Sequence, residues 1–158
     1  MIEGTPATRA AAGAGVAFEV VRTERASNAE ESASLQGIEL RQLLRTIVVR
    51  RGEGDFLFVL VPGGRQISWP KLRAHLGVAR LSLPDAEEAR AATGYPRGAI
   101  TPFGAKTAWP VIADASVRDV ERVAIGGGAH GVNLHLATDE LLRATAAEVV
   151  DVTAADGR

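Results

Sequence analysis

The chain has 158 residues, 46% hydrophobic and 23% charged, and a net charge of −1, which is one ordinary domain with enough chain to bury a full core. It has no cysteine, which excludes disulfides, thiolate catalysis and cysteine-based metal sites. No apolar run nears the ~20 residues of a membrane span, and Glu3, Arg9 and three glycines by Gly15 break up the alanine-rich N-terminus, so no membrane contact and a cytoplasmic location are expected.

Thr5-Pro6 predicts a capped helix that stops near Gly13 or Gly15. Val16 to Val21 reads as a strand. Ser27-Asn28-Ala29-Glu30 fits a capping box in which Ser27 and Glu30 serve each other's backbone donors, opening a helix that ends at Gly37. Glu39 to Leu44 supplies a further helical turn. Ile47–Arg51 and Phe56–Val61, separated by Gly52-Glu53-Gly54-Asp55, predict a hairpin.

Pro62-Gly63-Gly64-Arg65 is a turn, and Ser68 caps a helix that closes at Gly77. Pro84 starts another, ending at Gly94. Strands follow near Trp109–Ala113, Arg122–Ile125 and Val132–Leu136. Thr138 caps a last helix, Glu148 to Val152 is a final strand, and 154–158 is a flexible tail. Hairpins mixed with helix-flanked strands predict one α+β (mixed α/β) domain over residues 5–153, with no repeat or linker.

Charge is unevenly placed. Between Arg41 and Arg80 eight basic residues face only Glu53 and Asp55, so this segment is +6 and the remainder −7. Such asymmetry fits either a phosphate-facing surface or the outer faces of strands and one helix.

Two loops carry the chemistry. Gly94-Tyr95-Pro96-Arg97-Gly98-Ala99-Ile100-Thr101-Pro102-Phe103-Gly104 packs three glycines and two prolines into eleven residues. It combines permitted positive φ with fixed φ and little side-chain bulk, which suits a pocket wall presenting backbone N–H groups. The second loop is Gly126-Gly127-Gly128-Ala129-His130-Gly131. Each loop alone also reads as a tight connection; together they predict a cleft between them.

Gly126, Gly128 and Gly131 meet the G-x-G-x-x-G spacing, with Asp151 twenty residues on. A dinucleotide site needs a helix next, whereas Val132-Asn133-Leu134-His135-Leu136 alternates like a strand. There is no Gly-Lys-Ser/Thr and no G-x-S-x-G. The spacing of His75, His130 and His135 does not suit a metal. His130, inside the loop, is a candidate proton donor or orienting group; bonding to backbone is its structural alternative. Asn133 and His135 share one strand face. Asp114 reads as a helix cap or an orienting group, and Trp69 and Trp109 as core or rim residues.

Leu44-Arg45-Thr46-Ile47-Val48-Val49, the 94–104 loop, the Gly126 loop and Val149-Val150-Asp151-Val152, in this order and spacing, resemble the YbaK-type aminoacyl-tRNA editing family over nearly the whole chain. That family includes free-standing Cys-tRNA(Pro) deacylases and the editing domain inserted in some prolyl-tRNA synthetases. The resemblance implies a compact, partly barrel-like mixed sheet surrounded by helices. It also implies hydrolysis of the ester of a mischarged tRNA without metal or cofactor.

By the same resemblance, Arg45, Asn133 and His130 are the candidate catalytic residues. Arg45 stands where those deacylases have lysine, Gly126 where they have serine, Asn133 where they have aspartate, and His130 replaces a basic residue. Thr46, Gly98, Ala99, Ile100, Thr101, Pro102, Gly126, Gly127 and Gly128 are the expected substrate-binding positions, with Arg45 and Thr46 at the tRNA 3′ end. Glycine-loop N–H groups would stabilise the oxyanion, each worth ~3 kcal/mol. The expected partner is the aminoacylated 3′ end of tRNA, with a synthetase as a further candidate; a monomer and a homodimer are both open. A non-catalytic binding module of the same fold is the alternative.

Overall fold

A computed structural model describes residues 4–156. Helix α1 (Pro6–Gly13) starts at the Thr5 cap, whose hydroxyl accepts from the Thr8 N–H. Strand β1 (Phe18–Arg22) follows, then α2 (Ala29–Gln36). Asn28 caps α2, not Ser27: its side chain accepts from the Glu31 N–H at 2.7 Å. The Glu31 carboxylate reaches back to the Ser27 N–H and hydroxyl, so Glu31, not Glu30, serves the expected role, with its bonds split between Asn28 and Ser27.

A 3₁₀ turn over Leu40–Gln42 leads into β2 (Leu44–Gly52), which forms the expected hairpin with β3 (Asp55–Pro62). Short strand β4 (Arg65–Ile67) precedes α3 (Trp69–Leu76), capped by Ser68. Helix α4 (Ala86–Thr93) is capped by Asp85. The rest comprises β5 (Val111–Asp114), β6 (Arg122–Gly126), β7 (Val132–Ala137), α5 (Thr138–Thr145), β8 (Glu148–Val150) and β9 (Thr153–Ala155).

Thr138 is the first residue of α5 and not its cap, because its hydroxyl donates to the Val120 carbonyl. The expected strand Glu148–Val152 stops at Val150, and a second strand begins at Thr153. The second takes in Ala154 and Ala155, expected as tail, and pairs with β4. Residues 157 and 158 of that tail lie outside the described residues.

The architecture is mixed α+β. One antiparallel sheet has the order β1-β7-β6, a mixed sheet the order β2-β3-β5-β8, and β4-β9 form a ribbon. Within the mixed sheet β2 runs antiparallel to β3, while β3-β5 and β5-β8 are parallel. The two larger sheets touch through the Leu43–Ala124 bridge. With β1 and β8 left as outer strands, no barrel closes among the described residues.

Strand β3 explains the unbroken apolar run at Phe56–Val61. Phe56, Phe58 and Leu60 enter one core with Leu134, Ile125 and Leu141, while Leu57, Val59 and Val61 enter a second with Leu72 and Val152. A sheet covered on both faces selects continuous hydrophobicity in place of alternation. Strand β7 shows the other regime: Val132, Leu134 and Leu136 are buried, and Asn133 and His135 lie half-buried on the opposite face.

Candidate functional site

The 94–104 loop is held from inside. Thr93 takes the Tyr95 N–H on its hydroxyl, and the Tyr95 hydroxyl donates to the Phe103 carbonyl at 2.7 Å. Burial raises the Tyr95 pKa above its usual value, with Arg9 opposing weakly, so the phenol keeps the proton this bond needs. The Thr101 hydroxyl, fully buried, accepts from the Phe103 N–H. At the N-terminal end of α1, the Thr5 hydroxyl donates to the Gly127 carbonyl at 2.6 Å. The helix cap thus props up the second glycine loop.

The two loops meet. Gly98 has φ +92°, and a Cβ there would lie 3.1 Å from His130 Nε2. His130 Nε2 sits 3.2 Å from the Arg97 carbonyl. Loop to loop closure therefore needs both the imidazole and a residue at 98 without a side chain. Gly131, at φ +77°, turns the chain into β7 under the Thr23 carbonyl, and Thr23 N–H donates back to Gly131 at 2.9 Å.

Between these loops, β2 and the start of α2 lies a cleft of about 710 Å³. Gly98, Ile100, Gly126, His130, Asn133, Arg45 and Thr46 all line it. Ala99, Thr101, Pro102, Gly127 and Gly128 do not. The Ala99 N–H is spent on the Pro96 carbonyl and the Gly127 N–H on Val132, at 3.0 and 2.7 Å. Among the described residues the N–H groups of the cleft-lining Arg97, Gly98 and Ile100 have no protein acceptor, so the loop offers these donors to the cleft.

The side chains are equally specific. Asn133 Nδ2 donates to the Val21 carbonyl at 3.2 Å, leaving its own carbonyl free. Thr46 Oγ1 is buried beside the cleft without a hydrogen-bond partner. Arg45 alternates to the other face of β2: its exposed guanidinium donates to the Arg65 carbonyl at 2.6 Å. Arg65 in turn donates to the Thr153 hydroxyl and lies 3.6 Å from Asp114.

Asp114 is an N-cap, accepting from the Ser116 N–H, and it also accepts from the Val152 N–H at 3.0 Å. Burial raises its pKa, but hydrogen bonds from Ser116, Val152 and Thr153 outweigh burial and hold it below the usual carboxylate range. His135 lies outside the cleft, 2.8 Å from Gln36 Oε1, and burial lowers its pKa, with Glu19 opposing and Arg122 adding to the shift. Among the described residues no three His, Asp or Glu side chains gather in a set fit for a metal ion.

The cleft also has a wall that was not expected: the β1–α2 segment from Thr23 to Ala29, with Leu83, Pro84 and Ala89 beyond it. This wall brings Arg25, and the glycine loop brings Arg97. Neither cation has an ion pair among the described residues. Arg97 was legible as the charged residue inside a loop built of small ones. Arg25 had no such signal, since only tertiary packing brings 23–29 opposite the loop.

A fold of this kind, with one cleft walled by two glycine loops, is that of a tRNA-editing domain. Residues 23–144 match the aminoacyl-tRNA editing domain family, and the chain belongs to it. It is 30% identical over 125 residues to a proline–tRNA ligase of Thermosipho africanus, covering 77% of this chain and 22% of the ligase. The chain thus spans about a fifth of that synthetase. It is 24% identical over 136 residues to EbsC of Enterococcus faecalis, a candidate Cys-tRNA(Pro)/Cys-tRNA(Cys) deacylase, covering 86% of this chain and 83% of EbsC. The crystal structure of a candidate trans-editing enzyme for prolyl-tRNA synthetase superposes with a TM-score of 0.85 at 28% identity, over 99% of this chain and 100% of that one.

Proposed function

We propose that the protein is an aminoacyl-tRNA deacylase acting in trans, hydrolysing the ester of a mischarged tRNA in the 710 Å³ cleft. The observation that carries the reading is the meeting of two sequence-remote glycine loops across one cleft, in a chain of the editing-domain family. A synthetase pocket separates side chains by only ~1–3 kcal/mol per methylene, so a second hydrolytic sieve has something to correct.

In this reading the ester carbonyl faces the Gly98 and Ile100 N–H groups. They stabilise the oxyanion that develops when water attacks. Gly126 leaves room beside the Ile100 carbonyl for the aminoacyl group. The Asn133 carbonyl and His130 orient the attacking water or the substrate amine, and the Thr46 hydroxyl takes a bond from the ribose. Arg25 and Arg97 hold phosphate near the 3′ end. Arg45 fixes the edge of β2 that presents Thr46, through its bond to the Arg65 carbonyl.

That engagement of Arg45 favours the second reading, a module that binds the tRNA end without turnover. A deacylation screen decides between them, with sub-stoichiometric protein and a panel of correctly and incorrectly charged tRNAs. Multiple turnover on a mischarged species is the expected result. Retained tRNA binding with no release from any pair would leave the binding module and overturn the deacylase.

A further inference from the structure

The basic segment 41–80 is only partly a patch. Arg41 pairs with Glu39, Arg50 with Glu88, Arg51 with Asp55, Arg65 with Asp114 and Lys71 with Asp151. Arg73 and Arg80 have no such partner among the described residues, and both line a second groove of about 510 Å³ with Arg50 and Arg51. From Phe56 to Pro84 the chain has no acidic residue. Arg50 Nε lies 3.3 Å from the Glu88 carboxylate without a well-directed hydrogen bond to it. Four guanidinium groups around one concave surface, two of them uncompensated, make a site for phosphate oxygens.

The groove adjoins the cleft. Ser82 lines the groove, whereas Leu83 and Pro84 line the cleft, and the Arg50–Ser82 backbone bridge (2.7 and 3.0 Å) separates the two. Both clefts open along β2. Thr46 and Arg50 are four residues apart on it, or ~13 Å at the rise of a strand. A stacked nucleic-acid strand rises ~3.4 Å per nucleotide, so ~13 Å is about four nucleotides.

We propose that this arginine groove binds backbone phosphates of the RNA whose 3′ end enters the cleft, about four nucleotides upstream of that end. The identity of the RNA rests on the deacylase reading above; the groove's affinity for phosphodiester backbone does not. Arg73 and Arg80 supply the two free charges, while Arg50 and Arg51, already paired, shape the walls. These contacts carry no sequence information and set the register of the strand.

The test uses the full chain, the Arg73→Gln/Arg80→Gln double variant and an Arg90→Gln/Arg118→Gln control of equal charge change, all checked by melting. The probe is an uncharged RNA hairpin with a base-paired stem and a single-stranded CCA end, titrated by fluorescence anisotropy from 50 to 200 mM salt. Losing two phosphate contacts lowers the log–log salt slope by about 1.5–2. The wild type's advantage over the double variant therefore shrinks about tenfold across this range, while the control keeps the wild-type slope.

An unchanged slope in the double variant, or an equal fall in the control, overturns the groove. Hydrolysis of a minimal aminoacyl-adenosine ester, too short to reach the groove, is measured in parallel and is expected to be the same in wild type and double variant. A changed slope without wild-type hydrolysis keeps the groove and sinks the deacylase; hydrolysis with an unchanged slope does the reverse.

Discussion

Asp114→Asn removes the carboxylate that ties three parts of the chain together. Asp114 is 1% exposed. It accepts from the N–H and hydroxyl of Ser116 and from the Val152 N–H, and Arg65 lies 3.6 Å away. Asparagine keeps one acceptor oxygen and turns an NH₂ toward donors on the other side. One charge-assisted hydrogen bond is lost, worth ~1.5–3 kcal/mol, and a buried donor is left unpaired, costing ~1–3 kcal/mol. With partial relaxation the total is about 3 kcal/mol, a fall in Tm of roughly 9 °C for a domain of this size.

Thermal melts at pH 7 read this directly. The folded-state pKa of Asp114 lies below its ordinary 3.8, so its contribution is complete above that value. It disappears as pH falls through the lowered one. The gap between wild type and variant should therefore be full at pH 7 and close in acid. A variant melting within ~2 °C of wild type at pH 7, less than about 1 kcal/mol by the same conversion, would refute this role for Asp114.

Gly131→Ala puts a Cβ at φ +77° against the Thr23 carbonyl; ~1–2 kcal/mol of backbone strain plus displacement of Thr23 should lower the urea midpoint and deform the cleft wall. His135 favours its neutral form in the fold, so it contributes fully above pH 6.5 and that part is lost as pH falls through 6.5 to the lowered value; His135→Gln should flatten the drop in urea midpoint between pH 7.5 and 5.5. Asn133→Ala, losing one partly buried hydrogen bond, should cost ~0.5–1.5 kcal/mol in stability but at least tenfold in deacylation kcat/KM, on the order of 1.4 kcal/mol of barrier. Arg45→Ala loses the bond to the Arg65 carbonyl and should cost no more than ~1 kcal/mol by denaturation.

What the sequence determined by itself is what short-range physics controls. Thr5, Ser68 and the glycines at 37, 77 and 94 set helix ends because a cap acts over three or four residues. Alternation in Val132–Leu136 put Asn133 and His135 on one face because strand period is two. The same rules slipped by one residue at Ser27, whose hydroxyl turns to the Glu31 carboxylate, and at Thr138, whose hydroxyl is drawn away by the Val120 carbonyl.

Tertiary structure decided the rest. Arg45 and Thr46 are adjacent in sequence and both border the cleft, yet they alternate across β2, and the Arg45 guanidinium ends on Arg65, twenty residues on. Which loop N–H groups stay available depended on turns closing at Pro96 and Val132. Arg25 reached the cleft because β1 pairs with β7, 112 residues away at Val21 and Asn133. Four of the eight cations in the +6 segment pair with carboxylates outside it, because charge balance is settled by spatial neighbours, and sequence lists only neighbours along the chain.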